Sequence, residues 1–182
     1  MMINTNHKTI DIPNLLLIAG NGRNVGKTTL ACQIISYFVK TTEVIGLKIS
    51  PHQHTFNQSN VIFKNDKIVI LEEKQINSKD SSLMLRAGAK KVFFVMVKPE
   101  HLNENMNHLI KILTSELIVC ESGGLREHIN PGVFLKVKRK EEEIIKKHLL
   151  KYNPIIVNND GNNFDFDIQQ LGFKNHQIRI NK

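Results

Sequence analysis

Residues 20–29 read Gly20-Asn21-Gly22-Arg23-Asn24-Val25-Gly26-Lys27-Thr28-Thr29, an order of residue types suited to holding a polyphosphate. Glycines let the backbone turn so that successive amides point inward, and a helix starting at the end of the turn adds its partial positive charge to that anion nest. Lys27 then supplies an ammonium for the β- and γ-phosphates, and Thr28 a hydroxyl for Mg²⁺. The candidate nucleotide-binding residues are therefore Asn21, Gly22, Arg23, Asn24, Val25, Gly26, Lys27, Thr28 and Thr29. The match to the phosphate-loop pattern GxxxxGK[ST] is approximate, because position 21 is Asn where the pattern has glycine. Asn enters the left-handed region more readily than other non-glycine residues, so the turn stays feasible. The alternative is a tight turn that merely opens a helix.

A Mg-nucleotide site also needs an acid near the metal, and two acids stand in suitable punctuation, Asp80 and Glu121. With Thr28 they form the candidate metal set, and with Lys27 the candidate catalytic set; either acid could orient an attacking water. Asp80 could equally cap a helix, and Glu121 could be a strand-end surface acid beside Ser122-Gly123-Gly124. Lys48, His52, His54, Arg86 and Gly123 are substrate-side candidates. An extended loop would turn both histidines to one side, toward metal or phosphate, or the loop is simply polar. Arg86 would reach a phosphate or pair with a surface acid.

These residues need a scaffold that gathers them. The runs NLLLIA at 14–19, EVIGLKI at 43–49, KVFFVMV at 91–97, ELIVC at 116–120, VFLKVK at 133–138 and PIIVN at 154–158 read as strands. Between them, 27–40 carries apolar residues at helical spacing, a helix from Ser78 or Asp80 to Arg86 is closed by Gly88, and Pro99 opens a helix to about Leu113. Residues 50–59 form a polar loop, and 61–73 two short strands about Asn65-Asp66, an antiparallel hairpin. Segment 136–148, with Glu142 and Glu143 four residues before Lys146 and Lys147, reads as a solvated helix face. The alternation implies an α/β fold, a mostly parallel sheet with helices on both faces and an inserted hairpin, and the glycine turn makes the P-loop NTPase fold the expectation. One domain over 1–182 is expected, with the hairpin at about 60–73 and a tail, 161–182, left without assignment. In such a sheet, ligands sit outside the carboxyl ends of the strands, where Lys48, Glu121 and Asn158 to Asp160 fall.

The bulk numbers limit the alternatives. The 182 residues, 41% hydrophobic and 23% charged, suit a globular chain that needs no disulfide. Cys32 and Cys120 lie in stretches read as a buried helix and a buried strand, with no metal-binding spacing. No apolar run approaches a bilayer span and the N-terminus lacks a signal-peptide core, so a cytoplasmic location without membrane attachment is expected. The net charge of +8 has no RNA-binding aromatic signature or long basic run beside it, which disfavours a nucleic-acid partner.

Four blocks, NVGKTTL at 24–30, VIGLKISPHQH at 44–54, KDSSLMLRAGAKKV at 79–92 and ELIVCESGG at 116–124, together resemble the MobB-type adaptor proteins of molybdopterin-guanine dinucleotide biosynthesis. The resemblance spans roughly 12–138 and implies GTP binding, favoured over ATP, with Mg²⁺, weak GTP hydrolysis, a homodimer, and a molybdenum-cofactor guanylyltransferase as partner. It assigns Lys27 and Thr28 to the nucleotide, Asp80 and Glu121 to the Mg²⁺ and hydrolysis region, and Lys48 and His54 to the adjoining cleft. The chain departs from the family in its His-Gln-His loop, where the family has adjacent histidines, and in the 61–72 hairpin. Glu121-Ser122-Gly123-Gly124 is also similar to the metallocentre-assembly GTPases of urease and hydrogenase. Their Asn-Lys-x-Asp guanine reader has no close counterpart in Asn158-Asn159-Asp160-Gly161, and their Cys-Pro-His motif is missing from the chain. Besides the adaptor reading, a small-molecule kinase with its acceptor held by 50–60 and 122–132, and a non-enzymatic anion or nucleic-acid module, remain open.

Overall fold

Unbroken apolar runs such as Leu15-Leu16-Leu17-Ile18-Ala19 cannot leave one face to solvent, so their strands must be covered on both sides. A computed structural model describes residues 9–52, 54–75 and 80–181, with Asp80 and Ser81 through their backbone alone. Its strands are β1 (Ile10–Gly20), β2 (Val44–Ser50), β3 (Val61–Lys64), β4 (Ile68–Glu72), β5 (Lys91–Val97), β6 (Leu117–Ser122), β7 (Ile129–Arg139), β8 (Ile155–Asn159), β9 (Leu171–Lys174) and β10 (Gln177–Ile180). The α-helices are α1 (Lys27–Phe38), α2 (Asp80–Arg86), α3 (Pro99–Leu102) and α4 (Met106–Ile110). Eight strands form one sheet in the order β3-β4-β5-β2-β6-β1-β7-β8, and β9 and β10 pair separately. From β5 to β8 the neighbours run parallel, while β4 and β3 extend the sheet antiparallel at one edge. This is the α/β sheet with an inserted hairpin that the sequence implies. Asn65 makes the hairpin turn, its Oδ1 accepting from the amides of Lys67 and Ile68.

Alternate residues separate the two faces. Leu15, Leu17, Ile45, Leu47, Ile118 and Cys120 join one core, which Leu102, Met106 and Leu109 of α3 and α4 cover. Leu16, Ile18, Val44, Leu117 and Val119 join the other, under Leu30, Ile34, Ile35 and Phe38 of α1 and Met84 of α2. The heptad-like spacing of the α1 residues puts them on one buried stripe. Ser78 lies outside the described residues; α2 begins at Asp80 and is closed by Gly88 at φ 105.

Helix is scarcer than expected, for two local reasons. The helix from Pro99 stops after one turn, and 103–105 is a 3₁₀ turn before α4. Asn105 is the cause: its Nδ2 donates to the His101 carbonyl at 2.8 Å, taking the acceptor that a continuous helix would give to the Asn105 amide. The charged helix within 136–148 is not formed. β7 instead runs on to Arg139, and the next helical turns are the 3₁₀ residues Lys147–Tyr152. The Lys138 ammonium takes the nearby carbonyls of Arg139, Lys140 and Glu142, and the distant Asn21 takes backbone groups of Glu143 and Ile145, so side chains consume the groups a helix would pair.

The tail is structured by the second core. β9 and β10 turn at Asn175-His176, φ 52 and 56, the left-handed pair of a tight hairpin turn, and Leu171 and Ile178 are buried. Gly132 lets the hairpin approach the sheet. A Cβ there would lie 2.2 Å from the Pro13 carbonyl oxygen and 2.7 Å from that of Ile178. Gly132→Ala is therefore expected to destabilise the fold by about 1–3 kcal/mol, the range for overpacking, read as a lower urea midpoint with the hairpin amides losing hydrogen-exchange protection first.

Candidate functional site

The end of β1 delivers the chain into a turn between the sheet and α1. Residues 21–26 are turns and bends, with Asn24 at φ 56 and Gly26 at φ 100, and Gly26 precedes α1 with no side-chain cap. Among the described residues, no carbonyl or side-chain acceptor takes the amides of Gly22, Arg23, Asn24, Val25 or Gly26. Five adjacent donors are thus open to a ligand beside the positive end of a helix of twelve residues. Lys27 folds back over this turn. Its stem lies against Gly20, where an added Cβ would come within 2.5 Å of Cδ, and its Nζ donates to the Gly22 carbonyl at 2.6 Å.

Asn21 plays a different part from the one its backbone tolerance suggests. The left-handed positions of the turn are Asn24 and Gly26, while Asn21 is 2% exposed and both polar atoms of its side chain are hydrogen-bonded. Nδ2 donates to the Glu143 carbonyl at 2.6 Å, and Oδ1 accepts from Lys136 Nζ at 3.0 Å and from the Ile145 amide at 2.8 Å. The side chain missing from the glycine pattern is here a tie between the turn and segment 143–145.

Glu121 is the centre of the charge arrangement. It sits near the end of β6, 6% exposed, in register with Lys48 of β2 on one side and Ile18 of β1 on the other. Thr28 Oγ1 donates to its Oε2 at 2.7 Å, Lys48 Nζ approaches the same oxygen at 3.1 Å, and Lys27 Nζ stands 3.9 Å from Oε1. Each ammonium–carboxylate attraction at such distances is about 4 kcal/mol at an effective dielectric constant near 20, and desolvation offsets much of it. Both ammoniums therefore stand at the mouth of the turn around one buried carboxylate.

The other candidates fall in different places. Arg23 donates through NH2 to His52 Nε2 at 2.7 Å, so His52 adjoins the turn, whereas the His54 ring tilts against Phe94 of β5 at 5.5 Å. The two rings thus have different neighbours instead of facing one site. Arg86 ends α2 and lines a groove of about 360 Å³ with Thr28, Thr29, Cys32, Ser36 and Leu83. Cys32 is half-buried on that groove rather than in the core; Cys120 is buried, and burial, with the Glu121 charge, pushes its thiol pKa up. Asp80 is the first residue of α2, and its side chain lies outside what is described. Gly123 follows β6, and Ser122 Oγ accepts from the amides of Gly124 and Leu125 to make the turn there.

Two strand-end residues brace the turn: Asn159, which the sequence places at the ligand edge with its neighbours, and Arg139, which the sequence reading missed. Asn159 Nδ2 donates to the Val25 carbonyl at 3.0 Å, and Arg139 NH2 to the Asn24 carbonyl at 3.2 Å. Both stand at carboxyl ends of parallel strands, the position that selects Asn159 in the sequence and would have flagged Arg139. The neighbours of Asn159 are committed to their own turn: Asn158 bonds to Asp165, and the amides of Asn163 and Asn162 hold the Asp160 carboxyl below its usual pKa. Among the described residues, no three His, Cys, Asp or Glu side chains converge on a metal position, and no helix is long and apolar enough to cross a membrane.

No significant match to this chain was found among protein-family models, curated proteins or solved structures.

Gly26 is the tightest point of the site. Its φ of 100 disfavours any side chain, and an added Cβ would lie 2.4 Å from Asn159 Nδ2. Gly26→Ala should cost about 1–3 kcal/mol of stability, measured by urea unfolding, with Asn159→Ala costing less because it removes one hydrogen bond without backbone strain.

Proposed function

We propose that the chain is a P-loop nucleotide-binding protein and weak nucleoside triphosphate hydrolase, with the P-loop NTPase fold, of the MobB kind. The observation that carries this reading is the convergence of Lys27, Thr28, Lys48 and Glu121 beside a turn of five open amides. The amides and the two ammoniums suit the β- and γ-phosphates, since both lie together at the carboxyl ends of parallel strands. The Thr28 hydroxyl and the Glu121 carboxylate, 2.7 Å apart, have the hard-oxygen chemistry that suits Mg²⁺, with Asp80 as the further acid. When bound there, Mg²⁺ supplies neutralisation of phosphate charge. Glu121 orients a water in line with the terminal phosphate and Lys27 stabilises the charge that develops on its oxygens. Slow turnover suits an adaptor in which nucleotide occupancy alters a partner-binding surface. GTP as the nucleotide, a homodimer and a molybdenum-cofactor guanylyltransferase as partner follow from the resemblance of the four sequence blocks.

A small-molecule kinase is the second reading, and the groove that starts at Thr28 and ends at Arg86 favours it. An acceptor lying there would adjoin the metal end of the site, with Arg86 as its anion contact. Phosphate release that accelerates only when an acceptor is added would support this reading over the adaptor one.

A thermal-shift series with GTP, ATP and their diphosphates tests the site. At a hundredfold excess over Kd a ligand stabilises by about 2.7 kcal/mol, a rise of roughly 5–10 °C for a chain of this size. Lys27→Ala should abolish that rise and Asp80→Ala should blunt it; an undiminished rise in both variants refutes the site. Glu121→Gln keeps one acceptor for Thr28, and is expected to bind nucleotide while hydrolysing it at least tenfold more slowly, as read by single-turnover phosphate release. Loss of binding in that variant would make Glu121 a structural residue.

A further inference from the structure

Lys146 belongs to the charged segment that reads as a helix in sequence, where its partner would be Glu142. The tertiary structure gives it different surroundings. Lys136 of β7, beside Ala19 of β1 and 1% exposed, donates from Nζ to Asn21 Oδ1 and to the Ile145 carbonyl, both at 3.0 Å. Asn21 Oδ1 also accepts from the Ile145 amide. Both backbone polar groups of Ile145 are therefore held by side chains rooted in the sheet and the glycine turn. The next residue, Lys146, then takes φ 53 and ψ 49, a left-handed conformation that L residues adopt only when the surroundings impose it.

The imposed geometry has a consequence for the ammonium. Its Nζ lies 3.2 Å from where a Cβ on Gly123 would stand, two residues beyond Glu121, so glycine at 123 leaves it room. Among the described residues, no carboxylate forms an ion pair with it. Burial, and next the nearby Lys146 charge, lower the pKa of Lys136, in keeping with two cations crowded at this edge of the turn. A cation kept near a second cation without a carboxylate is favourable where an anion is to arrive.

We infer that Lys146 is a further phosphate-binding residue of this site, carried to its rim by the Asn21–Lys136 tie and directed at the terminal phosphate of a nucleoside triphosphate. The inference rests on the nucleotide-binding reading above. It assigns the terminal phosphate because Gly123 lies at the end of the site that Thr28 and Glu121 flank. Asn21 is then a positioning residue: the side chain that breaks the glycine pattern orders a cation from a distant strand connection.

Calorimetric titration with GTP, GDP and inorganic tripolyphosphate, all with Mg²⁺, tests it. Lys146→Ala should weaken GTP and tripolyphosphate about tenfold and GDP much less, and Lys146→Arg should restore most of the loss. Asn21→Gly restores the glycine of the pattern yet should lose the same tenfold, and the double variant should be no weaker than either single one, because both remove one contact. Thermal unfolding without ligand checks that Asn21→Gly still folds; if it does not, the contrast between GTP and GDP in Lys146→Ala decides. Unchanged triphosphate binding in Lys146→Ala, an equal loss for GDP, losses that multiply, or tighter binding by Asn21→Gly would each overturn the inference while leaving the site itself standing. A wild-type chain that binds none of the three ligands would overturn both.

Discussion

A carboxylate held between a hydroxyl and two ammoniums organises the carboxyl edge of this sheet. Glu121 is 6% exposed, and a buried charge of that kind is tolerable only if its neighbours satisfy it. Lys48 arrives from the adjacent parallel strand in register, Thr28 from the first turn of α1, and Lys27 from the residue before it. Each partner comes from a separate element, so the contact ties β2, β6 and α1 together at one point.

The glycine turn is held from the opposite side by groups that are mostly neutral. Asn159 and Arg139, at the ends of β8 and β7, bond to the carbonyls of Val25 and Asn24. Asn21 faces inward and bonds to segment 143–145. These contacts occupy carbonyls and side chains and leave the turn's amides unbonded among the described residues. A turn braced through its acceptors while its donors stay available is pre-organised for a ligand made of acceptors.

The errors of the sequence reading share a physical cause. Helix propensity and charge spacing in 136–148 are local quantities, but Asn21 supplies hydrogen bonds from outside the segment, and Lys138 at the end of β7 caps carbonyls within it, which together outweigh a few tenths of a kcal/mol per ion pair. Asn105 ends a helix through one side-chain bond to His101, which nothing in apolar periodicity signals. The hairpin of β9 and β10 turns on Asn-His in place of the Asn-Gly that marks such turns, and it buries one apolar residue per strand, Leu171 and Ile178, too few to stand out. His52 and His54 part because the first meets Arg23 of the turn and the second meets Phe94 of β5.

Apolar runs, their alternation with an amphipathic segment, and the glycine turn ahead of Gly-Lys-Thr were sufficient for the sequence alone to determine the central strands, α1, the β3–β4 hairpin and the proximity of Lys48 and Glu121 to the turn. Those features follow from backbone geometry and burial, which act over a few neighbouring residues. Tertiary structure alone decided the part of Asn21, the burial of Lys136, the approach of Lys146 to Gly123 and the non-helical course of 140–146. Those depend on contacts between residues as far apart as Asn21 and Ile145, 124 positions along the chain, where the strength of a hydrogen bond is set by the fold that brings its two ends together.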